Sequence, residues 1–525
     1  MMKVLVADPL SKEGIEIMKS VAEVDVKTGL KQDEILQIIG EYEGLVVRSQ
    51  TQVTAAIIEA GKKLIVIGRA GVGVDNIDLD AATRRGIIVV NAPTGNTISA
   101  AEHAVALMLA LARQIPQANN SLKSGKWERN KFMGTEVRGK TLGIIGLGNV
   151  GSAVARRALG LEMKLLGYDP FISEDHARNL QVELVPLERI YKESDFITLH
   201  IPLTPQTKGM IGAKELAMMK PSARIINTAR GGLIDEEALA NALKEKKIAG
   251  AAVDVFPQEP CTSSVLFTLD NVIVTPHLGA STAEAQVMAA SDVAYQIVDV
   301  FKGLQPRYAV NAPFIPPEMM STLGPFMQVA RKIGRLASQF AEGQVNSLKI
   351  KFEGEITQYD TNAIKAALLG GLLENVSEEK INLVNANLIA SRRGLTVIEQ
   401  KEAICQNYAS LITAEVNTST GSTEIAGTVL RGESHIVRVN KYWIDFIPTE
   451  GYFLFVDHRD RPGLIGAVGN ITGSVDVNIS AMHVGRQKAR GDALMILDLD
   501  EELPQEAVRK IEAIPDVYKV KVIKL

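Results

Sequence analysis

Three stretches of the sequence put ionisable residues at the ends of apolar runs: "INTARGGLIDEEAL" (226–239), "AAVDVFPQEP" (251–260) and "VTPHLGAST" (274–282). Their ionisable members include Arg230, Asp254, Glu259 and His277. Moving a hydride between a 2-hydroxy acid and a nicotinamide requires a base for the hydroxyl proton, a partner that holds that base, and a cation for the substrate carboxylate. His277, Glu259 and Arg230 supply one each. A carboxylate bonded to an imidazole fixes its tautomer and favours its protonated form. Taken alone, a histidine at a strand end more often satisfies backbone groups. Beside a dinucleotide motif and two charged strand-end partners, the acid–base role is the expectation.

That motif lies in "LGIIGLGNVGSAVARRALGLEMKLLGYDP" (142–170). Gly146, Gly148 and Gly151 stand in GxGxxG spacing between an apolar strand and an amphipathic helix, with Asn149 and Val150 inside the turn. The glycines allow a tight turn, close approach of backbone to a pyrophosphate, and close helix–strand packing, while the helix N-terminus faces the phosphates. A bare glycine pattern is weak evidence, but here Asp169 follows the second strand, 18 residues after Gly151. A carboxylate there accepts hydrogen bonds from a ribose diol and repels a 2′-phosphate, so NAD is expected over NADP. Asn149 stands where a basic side chain could have reached the pyrophosphate. His103, inside an apolar helix, and His200, at the end of "FITLH", are expected to pack or to line the cofactor cleft.

The elements that position these residues follow from the apolar pattern. From 1 to 98 short apolar runs alternate with helical segments, which implies a parallel sheet covered on both faces. Ligands of such sheets bind beyond the carboxyl ends of the strands. That rule singles out Arg48, with Ser49 beside it, Arg69, and the loop "GRAGVGVDNID" (68–78), which contains Gly71. A long helical stretch leads to a second alternating region, 99–283, with six expected strands and the order of a dinucleotide fold. A helix over about 283–302 and "GLQPRYAVNAP" (303–313), expected as a strand, return to the first sheet. The first unit is therefore expected to be discontinuous, 1–98 with 284–315, and the second inserted in it.

"APFIPPEM" (312–319) reads as a Pro-rich linker. Beyond it, 320–447 combines a long helix (about 321–341) with alternating stretches and carries no catalytic motif. The last unit, 450–525, runs strand, helix, strand, strand, helix, strand, a split βαβ sheet of ferredoxin type. The fold class is thus α/β, two Rossmann-like or flavodoxin-like units, followed by an α+β unit and a ferredoxin-like one.

At 525 residues the chain needs several cores. Its 46% apolar and 22% charged residues and net charge of -4 are those of a globular protein with no bias towards polyanions, so nucleic acid is not an expected partner. "MMKVLVADP" lacks a secretory signal, and "AVALMLALA" (104–112) is too short to span a membrane, so a cytoplasmic protein is expected. Cys261 and Cys405 form no disulfide framework or metal cluster and are expected to pack; no metal is expected.

With these motifs, "RAGVGVDNIDLDAATRRGI" and "GKWERNKFMGTEVRGKTLGIIGLGNVG", the chain resembles the D-isomer-specific 2-hydroxyacid dehydrogenases, most of all the members that act on 3-phosphoglycerate. The resemblance covers about 1–315 and resumes at about 450–525. It implies NAD-dependent oxidation of 3-phospho-D-glycerate to 3-phosphohydroxypyruvate, the entry to L-serine, with Arg230, Glu259 and His277 catalytic. It implies that Thr228 and Ala229 neighbour the nicotinamide, that Asp254 contacts the cofactor or orders the site, and that His277, Gly279 and Ala280 join the cofactor set. Arg48, Ser49, Arg69 and Gly71, with Arg230, are the implied substrate residues, although Arg48 and Arg69 would otherwise read as surface charges. "KWERNKF" (126–132) is a candidate intersubunit loop or a solvated one.

The last unit resembles the ACT domain, which implies an L-serine site at His458, Asp460 and Asn478. The alternative is that it only pairs edge strands to build a homo-oligomer, a dimer or tetramer. The middle unit resembles the extra domain of longer family members. Two rival functions share this fold: a dinucleotide-sensing corepressor, disfavoured by the arginines and the terminal module, and a dehydrogenase of glycerate or another 2-hydroxy acid. A formate-type enzyme is disfavoured because it uses glutamine where Glu259 stands.

Overall fold

Runs such as Gly44–Val47 and Phe196–Leu199 have no polar alternation, and every residue in both is buried. Strands buried on both faces belong to parallel sheets covered by helices. The computed structural model, which describes residues 2–313, 315–374 and 381–525, contains two such sheets.

The first has strands β1 (Met2–Val6), β2 (Ala22–Val26), β3 (Gly44–Val47), β4 (Val66–Arg69) and β5 (Ile88–Asn91), all parallel in the order β2-β1-β3-β4-β5. The second has β6 (Thr141–Ile145), β7 (Lys164–Tyr168), β8 (Glu183–Leu184), β9 (Phe196–Leu199), β10 (Arg224–Asn227), β11 (Gly250–Val253) and β12 (Val272–Val274). Its order is β12-β11-β10-β9-β6-β7-β8, again all parallel. The expected six strands are there, and β8 is an additional one; at two residues it is too short to show a period in the sequence.

The chain crosses between these sheets twice. Helix Thr97–Arg113 buries Ala101, Ala104, Leu107, Met108 and Leu111 in the second core. Helix Ala283–Phe301 returns, packing Ala289, Val293, Ala294 and Ile297 on the first sheet. The strand expected over 303–313 is instead a single bridge, Ala309 to Val90. The Asn311 amide explains it: Oδ1 accepts from Val89 N and Nδ2 donates to Ile87 O, so a side chain takes ladder positions that a backbone strand would need. Among the described residues no single helix is long and apolar enough to cross a membrane.

The next helix, Pro317–Phe340, begins inside the stretch 312–319 that reads as a linker, with proline in its first turn, where a missing N–H costs nothing. Phe314 of that stretch lies outside the described residues. Strands β13 (Val345–Gly354), β14 (Thr396–Glu402), β15 (Ser410–Thr418), β16 (Ser422–Leu430), β17 (Glu433–Val439) and β18 (Tyr442–Phe446) form a sheet in the order β14-β13-β15-β16-β17-β18. Helix Asn362–Leu373 packs closely against Pro317–Phe340. At Gly334 and Gly371 a Cβ would lie 2.1 Å from a carbonyl of the facing helix, so only glycine fits.

The last sheet, β19 (Tyr452–Arg459), β20 (Ile479–Arg486), β21 (Asp492–Leu499) and β22 (Val517–Lys524), is antiparallel in the order β20-β21-β19-β22. One face carries helices Leu464–Ser474 and Gln505–Glu512. Its other face, with Phe453, Phe455, Ile496 and Ile523, merges with Ile444 and Phe446 of the preceding unit into one core. Phe340 meets Phe455 edge-on at 4.8 Å, and the Tyr442 hydroxyl donates to Asp457 at 2.7 Å.

Candidate active site

The glycine turn follows β6. Gly146 has φ +95°, and a Cβ there would lie 2.4 Å from the His200 carbonyl oxygen. A Cβ on Gly151 would lie 1.9 Å from the Gly146 oxygen, so the helix Asn149–Gly160 can sit this close only without a side chain. Gly148, by contrast, faces open space and with Asn149 is exposed at the helix start, while Val150 is half-buried. Free N–H groups there suit a pyrophosphate. Asp169, just after β7, accepts from Leu147 N and Phe171 N at 2.9 Å each, which holds its carboxylate beside the turn. His200 directly follows β9, bonded to Thr198 Oγ1 at 2.9 Å, and burial pushes its imidazole down to about 4.

Loops after β10, β11 and β12 bring the ionisable residues together. His277 Nδ1 lies 2.6 Å from Glu259 Oε2, and Glu259 Oε1 accepts from Phe256 N at 3.0 Å. Burial raises the Glu259 carboxyl, but the bonds from His277 and Phe256 N outweigh it, and it ends below its ordinary value. The Arg230 turn packs on this loop: a Cβ on Gly231 would lie 2.0 Å from the Phe256 carbonyl carbon. Asn227 shapes that turn, accepting from Ala229 N and donating to Arg230 O. Thr228 is buried beside it, its hydroxyl without a partner among the described residues.

Of the two roles expected for Asp254, its bonds support the ordering one. It is fully buried, and its carboxylate receives Thr275 Oγ1 (2.5 Å), Leu278 N (2.8 Å) and Gly279 N (3.0 Å), so it orders the His277 loop. Ala280 follows at the half-buried end of that loop.

Three arginines converge from both sheets. Arg230 reaches the first unit, with Nε 3.4 Å from Asp75 Oδ2. Arg69, at the end of β4, is pushed down to about 10 by its burial and then by the charges of Arg230 and Arg48, against Asp75 and Asp8. Like charges gathered at such cost suit an anion. Gly71 and Gly73 give the guanidinium groups room: a Cβ on Gly71 would lie 1.8 Å from Arg69 Nη1, and on Gly73 2.3 Å from Arg230 Nη2. Buried Asp8 holds the Arg48 turn, accepting from Arg48 N (2.6 Å) and Thr51 Oγ1 (2.7 Å), with Ser49 exposed between. Asp8 and Asn227 are not among the residues expected from the sequence, although both obey the same strand-end rule as Arg48; Asp75 lies in the loop 68–78 that the rule singles out.

A family model for the NAD binding domain of D-isomer specific 2-hydroxyacid dehydrogenases matches residues 105–279, one for the D-3-phosphoglycerate dehydrogenase intervening domain matches 322–440, and one for the ACT domain matches 452–516. A curated D-3-phosphoglycerate dehydrogenase from Synechocystis sp. is 50% identical over 526 residues, covering 99% of this chain and 95% of that protein. Another, from Methanocaldococcus jannaschii, is 47% identical and spans 100% of both chains. The chain belongs to the D-3-phosphoglycerate dehydrogenase family. Among solved structures, an NAD+-bound 3-phosphoglycerate dehydrogenase from Entamoeba histolytica is 32% identical with TM-score 0.51, covering 60% of this chain and 99% of that one. As a member of this dehydrogenase family the chain uses NAD, and the glycine turn with Asp169 fits that cofactor.

The three residues expected to bind an effector in the ACT module do not all lie together within one chain. Asp460 follows β19 and Asn478 precedes β20, and in one chain they stand at opposite ends of the sheet: Arg459 is in register with Asp492 and Ile479 with Leu499. Asp460 already holds Arg486 (3.0 Å) and Arg490 N (3.1 Å), and Asn478 donates to Asp500 at 2.7 Å. His458 is buried, with Nδ1 3.0 Å from Arg459 O and Nε2 unpartnered among the described residues. These three residues do not make one pocket within a single chain.

Proposed function

We propose that the cleft between the two parallel-sheet units oxidises 3-phospho-D-glycerate to 3-phosphohydroxypyruvate, the entry to L-serine. The carrying observation is the carboxylate-held imidazole of His277 beside a turn whose Arg230 joins Arg48 and Arg69. Bound NAD+ supplies the acceptor for the hydride leaving the substrate C2. Glu259 occupies His277 Nδ1, leaving Nε2 to take the hydroxyl proton, and its negative charge stabilises the imidazolium that forms. Arg230 grips the substrate carboxylate, for which its planar fork is matched. Arg48 and Arg69 take the phosphate, with Ser49 and the glycine backbone at 71 beside them. In reduction His277 returns its proton to the carbonyl oxygen. Thr228, Ala229, Gly279 and Ala280 line the nicotinamide side.

The test is NADH formation by the full chain with 3-phosphoglycerate against D-glycerate. A clear preference in kcat/KM for the phosphorylated acid supports the assignment, and equal rates sink it.

The ACT module suits an amino acid effector, and we assign it L-serine. Support comes from β20, an edge strand that exposes Met482 and Val484. A second copy added antiparallel along β20 brings Asn478 of one subunit beside Arg486 and Asp460 of the other, uniting residues that one chain keeps apart. The exposed Trp127 of "KWERNKF" is a further contact for such an assembly. Inhibition by L-serine that vanishes in Asp460→Ala tests the site; serine without effect on initial rates or thermal stability refutes it.

A further inference from the structure

We infer that His103 is a positioning residue of this active site: through Asp254 it fixes the loop that carries His277. The inference rests on the reaction assigned above and adds a residue that the reaction itself does not touch.

His103 Nε2 lies 3.1 Å from Asp254 Oδ1 and 3.3 Å from Thr275 Oγ1. The same Asp254 carboxylate takes the N–H groups of Leu278 and Gly279, and the Asp254 carbonyl takes the N–H of His277 at 2.8 Å. His277 is thus gripped on both sides by one buried residue. It needs to be, because its φ of +54° lies in the left-handed region that residues with side chains seldom adopt. A carboxylate with no exposure is costly unless each oxygen has donors. Burial raises Asp254, and the bonds led by His103, then Thr275 and Leu278, bring it below its ordinary value.

One turn earlier in the same helix, Ser99 Oγ donates to Gly279 O at 2.8 Å. Ser99 and His103 are four residues apart and share a helix face. That helix starts at Thr97, where the chain first passes from one parallel sheet to the other, and Gly279 lies just before the second passage at Ala283. One helix face therefore ties both crossings to the His277 loop. Behind the Glu259–His277 pair stands a second pair, Asp254–His103, that sets where the first one sits. A small displacement of an acid–base group lowers turnover steeply without weakening substrate binding equally.

The full chain separates this from a packing or cofactor-lining role. His103→Phe keeps an aromatic ring and removes the donor, whereas His103→Gln returns an N–H at similar reach. We expect kcat in His103→Phe to fall roughly ten- to hundredfold, with KM for the hydroxy acid and the NADH Kd nearly unchanged, and His103→Gln to regain most of the loss. A kcat within about twofold of wild type, no gain from glutamine, or a loss of NADH affinity as large as the loss of kcat overturns the inference. If His103→Phe does not fold, Ser99→Ala carries the test: it must lower kcat with KM unchanged, and a silent Ser99→Ala refutes the role. A wild type inactive on every 2-hydroxy acid sinks the assigned reaction and this inference together. An active wild type beside a silent His103→Phe sinks the inference alone.

Discussion

Glu259 places one carboxylate oxygen 2.6 Å from His277 Nδ1 and the other 3.0 Å from Phe256 N, so it grips the imidazole while itself anchored to backbone. Replacing the base should therefore cost more than replacing its holder. His277→Asn is expected to lower kcat by about 10³ or more and Glu259→Gln by about 10². Steady-state rates in both directions check this, and equal losses would show that Glu259 does more than hold.

Asp169 is bonded to Leu147 N and Phe171 N and stands beside the glycine turn. Removing its charge should admit a 2′-phosphate. Asp169→Ala is expected to raise the NADP/NAD ratio of kcat/KM by about tenfold, equivalent to about 1.4 kcal/mol, because repulsion and the ribose bonds disappear together. An unchanged ratio would mean that another group excludes NADP.

The arginine cluster makes a prediction about shape as well as charge. Arg69→Lys should not restore the KM lost in Arg69→Ala, because an ammonium lacks the planar fork. Gly73→Ala leaves every charge in place yet puts a methyl 2.3 Å from where Arg230 Nη2 now lies, so KM for the hydroxy acid should rise severalfold. Unchanged KM values in Gly73→Ala would show that Arg230 has freedom to move.

His200 is held neutral by burial, with its pKa pushed down to about 4. The unfolded chain takes up a proton as pH falls below about 6.5 and the folded chain does not until about 4, so stability drops across that window and then levels off. By pH 5 the loss is about 1–2 kcal/mol relative to pH 7. Thermal denaturation at both pH values should show a larger decrease for wild type than for His200→Gln. Parallel decreases would mean that His200 is hydrated.

What could be read without the structure was local. The GxGxxG turn, Asp169 after the next apolar run, and Arg230, Glu259 and His277 at strand ends all lie within a few residues of a pattern that turn chemistry or strand periodicity announces. The strand over 303–313 failed for a reason that no period reveals: Asn311 offers its side-chain amide to Val89 and Ile87. The sequence allows His103 only a packing or cleft-lining role, because its partner, Asp254, is 151 positions away.

The sequence by itself determined the alternation that makes two parallel sheets, the cofactor turn and the residue types of the acid–base pair, since these follow from side-chain period and backbone freedom within short windows. Only the tertiary structure decided which groups meet. It turned Asp254 inward to hold the His277 loop, drew Arg48, Arg69 and Arg230 together from two sheets, and set Asp460 and Asn478 at opposite ends of one. Those outcomes depend on strand register and on long-range packing, where a shift of one residue changes every partner and leaves the local pattern unaltered.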